Sequence, residues 1–446
     1  MQSTDQYRHE IRRHAQPLRD LADVDLLVRQ IGDARWVLLG EATHGTREFY
    51  RLRIELTRRL IESHGFDAVA VGADWPSALR ASRYARGAGA DRSAVAALGD
   101  FERFPRWMWR NTEVAAWLDW LRTHNAGIAD PGRRVGFFGL DLYSLRESMD
   151  AVVRYLDHED PEAAKRARAR YGCFDDLADD PQAYGYAVTF GLREPCQRGV
   201  LQQLIELCAR ASERLGDGDG DELFYAQQNA RVVRNAEVYH RTMFGGRTDS
   251  WNVRDRHMTE TLLLLGDHLS NRRGRPARIV VWAHNSHIGD ARATEVSRQG
   301  QLNLGQLVRE HRSDPAETFL LGFTTHAGTV TAADDWDAEA ETKKIVPSRA
   351  DSVERLLHDS GLERFVLPLR SAPESLRQLL GEPRLERAIG VVYRPDTERW
   401  SHYFEARVGH QFDAVVHLDT TEALRPLPGV DDLRHLAEPE TYPSGV

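Results

Sequence analysis

Two short stretches hold the side chains that could do chemistry. In WVLLGEATHGTREFY (36–50), Glu41 and His44 stand three apart just after an apolar run that breaks at Gly40. In VVWAHNSHIGDARATE (280–295), His284, Asn285 and His287 follow a second such run. An imidazole has an unperturbed pKa near ~6.5, so a histidine oriented by a carboxylate can take a proton from water at neutral pH. That chemistry is hydrolysis. The chain has no G-x-S-x-G elbow and no cysteine at a strand end, which favours attack by activated water over a covalent acyl-enzyme. Two other readings compete with it: Glu41 as a helix cap beside a satisfied His44, and a Zn²⁺ or Mn²⁺ site on the paired histidines. The H-x-x-H follows a strand instead of lying on a helix face, and no H-E-x-x-H occurs, so no metal and no cofactor are expected.

Both clusters depend on strands to place them. Apolar runs of strand length at 36–39, 66–71, 135–140, 278–282, 319–323, 389–393 and 413–419 make seven candidate strands. The first is followed by FYRLRIELTRRLIESHG, whose apolar residues recur at helical spacing and which stops at Gly65, completing a strand–loop–helix unit. In open α/β sheets, ligands sit at the carboxyl ends of the strands, where Glu41, His44, Asp141, His284 and His287 all fall. An opening amphipathic helical region is expected over 5–30. Between about 145 and 275 the texture turns to Ala, Arg, Glu, Leu and Gln at helical period, with no β-branched runs. The expected fold is a three-layer α/β/α core with a mostly parallel or mixed sheet and an inserted all-helical subdomain. Its parts would be 1–144 and 276–446 for the core and 145–275 for the insertion.

Composition narrows the partners. The chain has 446 residues, 41% of them hydrophobic and 28% charged, and a net charge of −9. That balance disfavours nucleic acid, which needs clustered Lys and Arg in excess. No run of about 18 apolar residues suggests a membrane span, and the polar N-terminus lacks a secretory h-region, so a cytoplasmic location is expected. The oligomeric state is not legible. Cys173, Cys196 and Cys208 show no C-x-x-C spacing, and neither zinc nor a disulfide is expected of them. Trp75, Trp107, Trp109, Trp117 and Trp120 either build a core or wall an apolar pocket.

The motifs LLGEATHGTREF, DAVAVGADWP, RFPRWMWRNTEVAAWLDWL, GFFGLDLYSL, DSWNVRDRHM, VVWAHNSHIGDARAT, GFTTHAGTVTAADDWD and AIGVVYRPDTERWSHYF occur in this order along the chain. With them the sequence resembles the erythromycin esterase family, and most closely its broad bacterial branch of uncharacterised homologues. The resemblance implies metal-independent hydrolysis of an ester, which in the resistance enzymes is the macrolactone of a macrolide. It implies that His44 is the general base, with Glu41 beside it and His284 and His287 as the second histidine motif. Arg53 would be the cleft arginine, and Glu48, Asp74, Trp109, Arg110, Asp141 and Asn285 would complete the substrate-binding set. One position departs from the pattern: the family carries a glutamate where this chain has Gly72. The expected substrate is a small molecule or peptide with an ester, lactone or amide bond. The alternatives are a repurposed tailoring enzyme running acyl or dehydration chemistry in natural-product or peptide biosynthesis, or a catalytically impaired binding homologue.

Overall fold

The central strands alternate their side chains between two separate cores. In Trp36–Leu39, Val37 and Leu39 join one apolar cluster while Trp36 and Leu38 join the other. Val69 and Val71 oppose Ala68 and Ala70 in the same way, as Val280 and Trp282 oppose Ile279 and Val281. A strand buried on both faces must be covered on both, which is why these runs read as continuously apolar and why the fold has three layers. Burying each of Val37, Leu38 and Leu39 contributes about 1.5–3 kcal/mol.

The structure is a computed structural model that describes residues 4–174, 181–213, 220–244, 247–311 and 314–429. Its strands are β1 (Gln16–Pro17), β2 (Trp36–Leu39), β3 (Ala68–Asp74), β4 (Gly136–Asp141), β5 (Ile279–Trp282), β6 (Thr318–Ala332), β7 (Glu341–Ile345), β8 (Arg364–Pro368), β9 (Arg384–Arg387), β10 (Tyr403–Ala406) and β11 (Ala414–Thr421). The main sheet runs β1-β8-β11-β6-β2-β5-β3-β4, with β7 added to β6, and β9 pairs with β10 apart from it. The six strands from β11 to β4 are mutually parallel, whereas β8, β1 and β7 pair antiparallel. The sheet is therefore mixed, with a parallel centre.

Strand β5, late in the chain, enters between β2 and β3. Leu39 and Val71 both pair with Trp282, so the residues that follow these three strands leave the sheet at one level. Among the described residues between β4 and β5 there are six α-helices, from Leu145–Glu159 to Arg247–Arg273. Their apolar residues form a core of their own around Leu156, Phe174, Leu207 and Tyr239. The last of the six also packs on the sheet through Met258, Leu262 and Leu265. Among the described residues no helix is long and apolar enough to cross a membrane.

Four expectations are corrected. The apolar run 389–393 is not a strand: Ile389 and Val392 make only isolated bridges, because the run lies across the loop after β2 and the end of β6 rather than along a sheet edge. The opening helical region breaks into Thr4–His14, a short turn of 3₁₀ helix at Leu21–Val24 and Asp25–Ile31. Pro17 and the Asp20 capping box interrupt it. Five strands that the periodicity did not suggest are present, namely β1, β7, β8, β9 and β10; all have at most five residues. Cys173 and Cys196 form a disulfide across 23 residues, with Cα atoms 5.8 Å apart, while Cys208 is free. Helix packing brings the two together, and sequence spacing carries no sign of it.

One buried ion pair ties the helical part to the sheet. Arg254 donates from Nε and Nη2 to the two carboxyl oxygens of Asp141 at 3.0 and 2.7 Å. Burial alone would raise the Asp141 pKa, but Arg254, with help from Arg103, holds it at about 2. A carboxyl shifted down from 3.8 supplies about 2 kcal/mol that is present above its ordinary pKa and disappears as the pH falls through about 2. His257, on the same helix, is lowered to about 4 by burial, so the unfolded chain takes up its proton first and stability also declines as the pH falls from 6.5 toward 4. Urea unfolding followed against pH should show both losses. Asp141→Asn should remove the lower one and cost about 3 kcal/mol at pH 7, since it strands a buried guanidinium. An Asp141→Asn midpoint equal to the parent's at pH 7 would contradict this role for the pair.

Candidate active site

The loop after β2 is fixed from several sides. A Cβ on Gly40 would lie 2.1 Å from Asn285 Oδ1, so only glycine lets the two strand exits come this close. Asn285 N–H donates to the Glu41 carbonyl at 2.8 Å, and its side-chain amide exchanges hydrogen bonds with the Phe323 backbone, at 2.7 Å from Nδ2 and 3.2 Å to Oδ1. Nδ2 also lies 3.3 Å from Glu386 Oε1. Burial and the neighbouring Glu354 push the Glu386 carboxyl up to about 8, which leaves it largely neutral at pH 7 beneath this knot. On the other side Ile389 donates to the Ala42 carbonyl at 2.9 Å, and Thr331 and Leu424 donate to the Gly45 carbonyl.

These constraints place Glu41 and His44 in contact. His44 Nδ1 lies 2.8 Å from Glu41 Oε1, and Arg53 Nη2 lies 2.6 Å from Glu41 Oε2. Arg53 reaches Glu41 from the helix Arg47–His64 and is completely buried, its guanidinium 4.5 Å from the Tyr50 ring centre and 5.5 Å from that of Trp282. It acts on the site through the carboxylate. With its Nδ1 proton held by Glu41, His44 keeps the Nε2 lone pair available as a base.

His284 is arranged the opposite way. The Ser286 backbone N–H donates to its Nδ1 at 3.2 Å, and Ser286 Oγ lies 3.0 Å from the same atom. Nδ1 is therefore an acceptor, and in the neutral ring the proton sits on Nε2. Burial, together with His44 and His287 nearby, lowers the pKa of His284 well below the usual value, so the ring is neutral at pH 7. Its Nε2 is buried without a hydrogen-bond partner, and its ring centre is 4.9 Å from that of His44. A base thus stands beside a donor.

His287 completes the group. Its Nδ1 is 3.0 Å from both oxygens of Asp255, and its ring stacks on Trp251 with centres 4.6 Å apart. Asp255 is fixed in turn by the Leu304 N–H at 2.8 Å. Asp255, Trp251 and Ser286 were not singled out from the sequence. The first two lie four apart on one helix, within the DSWNVRDRHM motif.

The remaining candidates fall into three groups. Asn285 is spent on the backbone of β6, as described above. Asp74, Asp141 and Trp109 line a small cavity of about 30 Å³ with Gly72, Phe101, Arg103, Phe104, Pro105 and Met108. Glu48 and Arg110 are engaged with the segment 422–427: Glu48 Oε2 accepts from Glu422 N–H, and the Arg110 carbonyl accepts from Leu427 N–H, both at 2.9 Å. Among the described residues no group of three or more His, Cys, Asp or Glu is placed to hold a metal ion.

Comparison with known proteins identifies the family and the fold. The family model described as erythromycin esterase matches residues 61–421. Erythromycin esterase type II of Escherichia coli is 23% identical over 411 residues, covering 84% of this chain and 90% of that protein. The solved structure of a Bacillus cereus protein superposes with a TM-score of 0.79 at 20% identity, covering 96% of this chain and all of that one. An erythromycin esterase EreC mutant in its open conformation gives 0.66 at 18% identity, covering 92% of this chain and 96% of that one. Two histidine motifs brought together at the ends of parallel strands, and a family match over most of the length, lead to one conclusion: this chain belongs to the erythromycin esterase family.

Proposed function

We propose that the protein hydrolyses a carboxylic ester or lactone by direct attack of water. The observation that carries this reading is the different partner on each Nδ1, a carboxylate at His44 and a backbone N–H at His284, which calls for opposite tautomers. A water between them would lose its proton to His44 Nε2 as its oxygen attacks the carbonyl carbon. The negative charge then building on the carbonyl oxygen would meet the His284 Nε2–H, a buried neutral donor. Collapse of the tetrahedral intermediate expels the alkoxide, which takes the proton back from His44. Atoms balance as ester plus water giving acid plus alcohol, and no group on the protein is acylated.

Glu41 orients His44 and stabilises the imidazolium formed when it takes the proton. Arg53 keeps the carboxylate turned toward it. The Asp255–His287 pair has the same form, but only the Glu41 carboxylate is itself held by a fully buried guanidinium, and that Arg53–Glu41–His44 chain favours His44 as the base. The family name supports an ester as substrate, and a small molecule suits a site whose histidines are all at most 5% exposed.

Replacing His44 by Asn keeps a polar side chain and removes the titratable nitrogen. Turnover of an aryl ester should fall by about 10²–10⁴ with the thermal unfolding midpoint little changed. A folded His44→Asn protein as active as the parent would exclude His44 as the base. Asp255→Asn separates the two carboxylate–histidine pairs. It should lower kcat by no more than about tenfold and leave the pH–rate profile in place, whereas Glu41→Gln should cost about 10²-fold or more. The reverse ranking would transfer the base role to His287.

A further inference from the structure

Glycines in these strands are mostly there because nothing else fits. A Cβ on Gly139, the neighbour in β4, would lie 2.4 Å from the Ala73 carbonyl oxygen and 2.5 Å from that of Asp74. Gly72 is different. A Cβ there would make only ordinary contacts, 3.7 Å to Ala283 Cβ and 3.9 Å to the Trp282 carbonyl oxygen. Its backbone is not in the left-handed region either, so neither crowding nor conformation demands glycine. What the missing side chain provides is the cavity of about 30 Å³ beside it. Gly72, one wall of that space, stands beside Ala283, the residue before His284, because Val71 pairs with Trp282, so this wall belongs to the strand ends that carry the proposed reaction centre.

The lining of the cavity defines what fits. Asp74 Oδ2 accepts from Arg103 Nε at 3.2 Å, and Asp141 is paired with Arg254, so two carboxylates face two guanidinium groups and a charged guest is not required. Asp74 Oδ1 is buried without a hydrogen-bond partner, and the other walls are Phe101, Phe104, Met108 and Trp109. An acceptor left open in an aromatic, charge-balanced space asks for a neutral donor. The volume is that of one water-sized group.

We propose that the Gly72 cavity is a subsite for a single hydroxyl group of the substrate, carried close to the ester bond and donating to Asp74 Oδ1. The proposal rests on the hydrolytic reading above and makes the preferred substrate a hydroxy-ester. A substrate without the hydroxyl leaves the carboxylate oxygen unsatisfied and is disfavoured for that reason.

Two pairs of esters test it. The p-nitrophenyl ester of 3-hydroxybutyrate against that of butyrate places the hydroxyl on the acyl side, and 2-hydroxyethyl butyrate against ethyl butyrate places it on the alcohol side. In one pair the hydroxyl should raise kcat/KM by about 10–100-fold, and the pair that shows it tells which part of the ester enters the cavity. Gly72→Val, which fills the space, should bring that ratio to near one, and Gly72→Ala, whose added methyl meets only ordinary contacts, should reduce it in part. Saturation-transfer NMR with 4-hydroxypentan-2-one and pentan-2-one, which cannot be hydrolysed, reads the subsite without turnover. The hydroxyketone should bind better to the parent and lose that advantage in Gly72→Val. If no ester is cleaved but the ketones are discriminated, the hydrolytic reading falls and the hydroxyl subsite stands. Ratios near one in both ester pairs, with equal binding of the two ketones, would overturn the proposal.

Discussion

The side chain of Asn285 is the knot on which the site depends. Its backbone holds Glu41 at the end of β2, its amide holds Phe323 in β6, and it stands just beyond the end of β5 between the two histidines of the H-x-x-H. Three parallel strands are thereby locked at one level. A buried amide with both its donor and its acceptor used is stabilising only while every partner stays in place, so the knot also fixes the register of the strand exits. Gly40 makes it possible by leaving the space that the Asn285 oxygen occupies.

From that register follows the division of labour among the imidazoles. What sets each ring's proton is a local partner on its own element: Glu41 three residues before His44, and Ser286 two residues after His284. His287 instead takes Asp255 from a distant helix. The burial that makes His284 neutral also makes its Nε2–H a stronger donor, since a desolvated hydrogen bond to a developing charge is worth more than one in water. Arg53 shows the same logic at a further remove: sealed between Tyr50 and Trp282, it reaches no substrate and fixes Glu41 instead.

The sequence made the strand ends legible because a strand buried on both faces leaves an unbroken apolar run, and β2 to β6 all begin with one. The short strands β7 to β10 were not legible for different reasons: ETKKI in β7 is polar and almost wholly exposed at its start, whereas RFVLP in β8 is apolar and buried but only five residues long. The run at 389–393 has the composition of a strand, yet it serves as a clamp across the Glu41–His44 loop, which is a tertiary fact. In the site, the Glu41–His44 contact could be read from spacing because the two lie in one turn. Asp255 could not, because it arrives from a helix some thirty residues before His287 in a stretch where most charges face solvent. Asn285, expected among the binding residues, was legible as important but not as the knot, since its partner Phe323 is an apolar residue offering only its backbone.

The claim at the centre of this account is that His44 and His284 carry their protons on opposite nitrogens. Long-range ¹H–¹⁵N correlation spectra of the histidine-labelled protein, assigned by single replacements, read this directly. The account predicts, at pH near 7, a proton on Nδ1 of His44 and on Nε2 of His284, with His284 remaining neutral as the pH is lowered to about 6. A His284 ring carrying its proton on Nδ1, or charged at pH 7, would leave the carbonyl oxygen without its donor and would contradict the account.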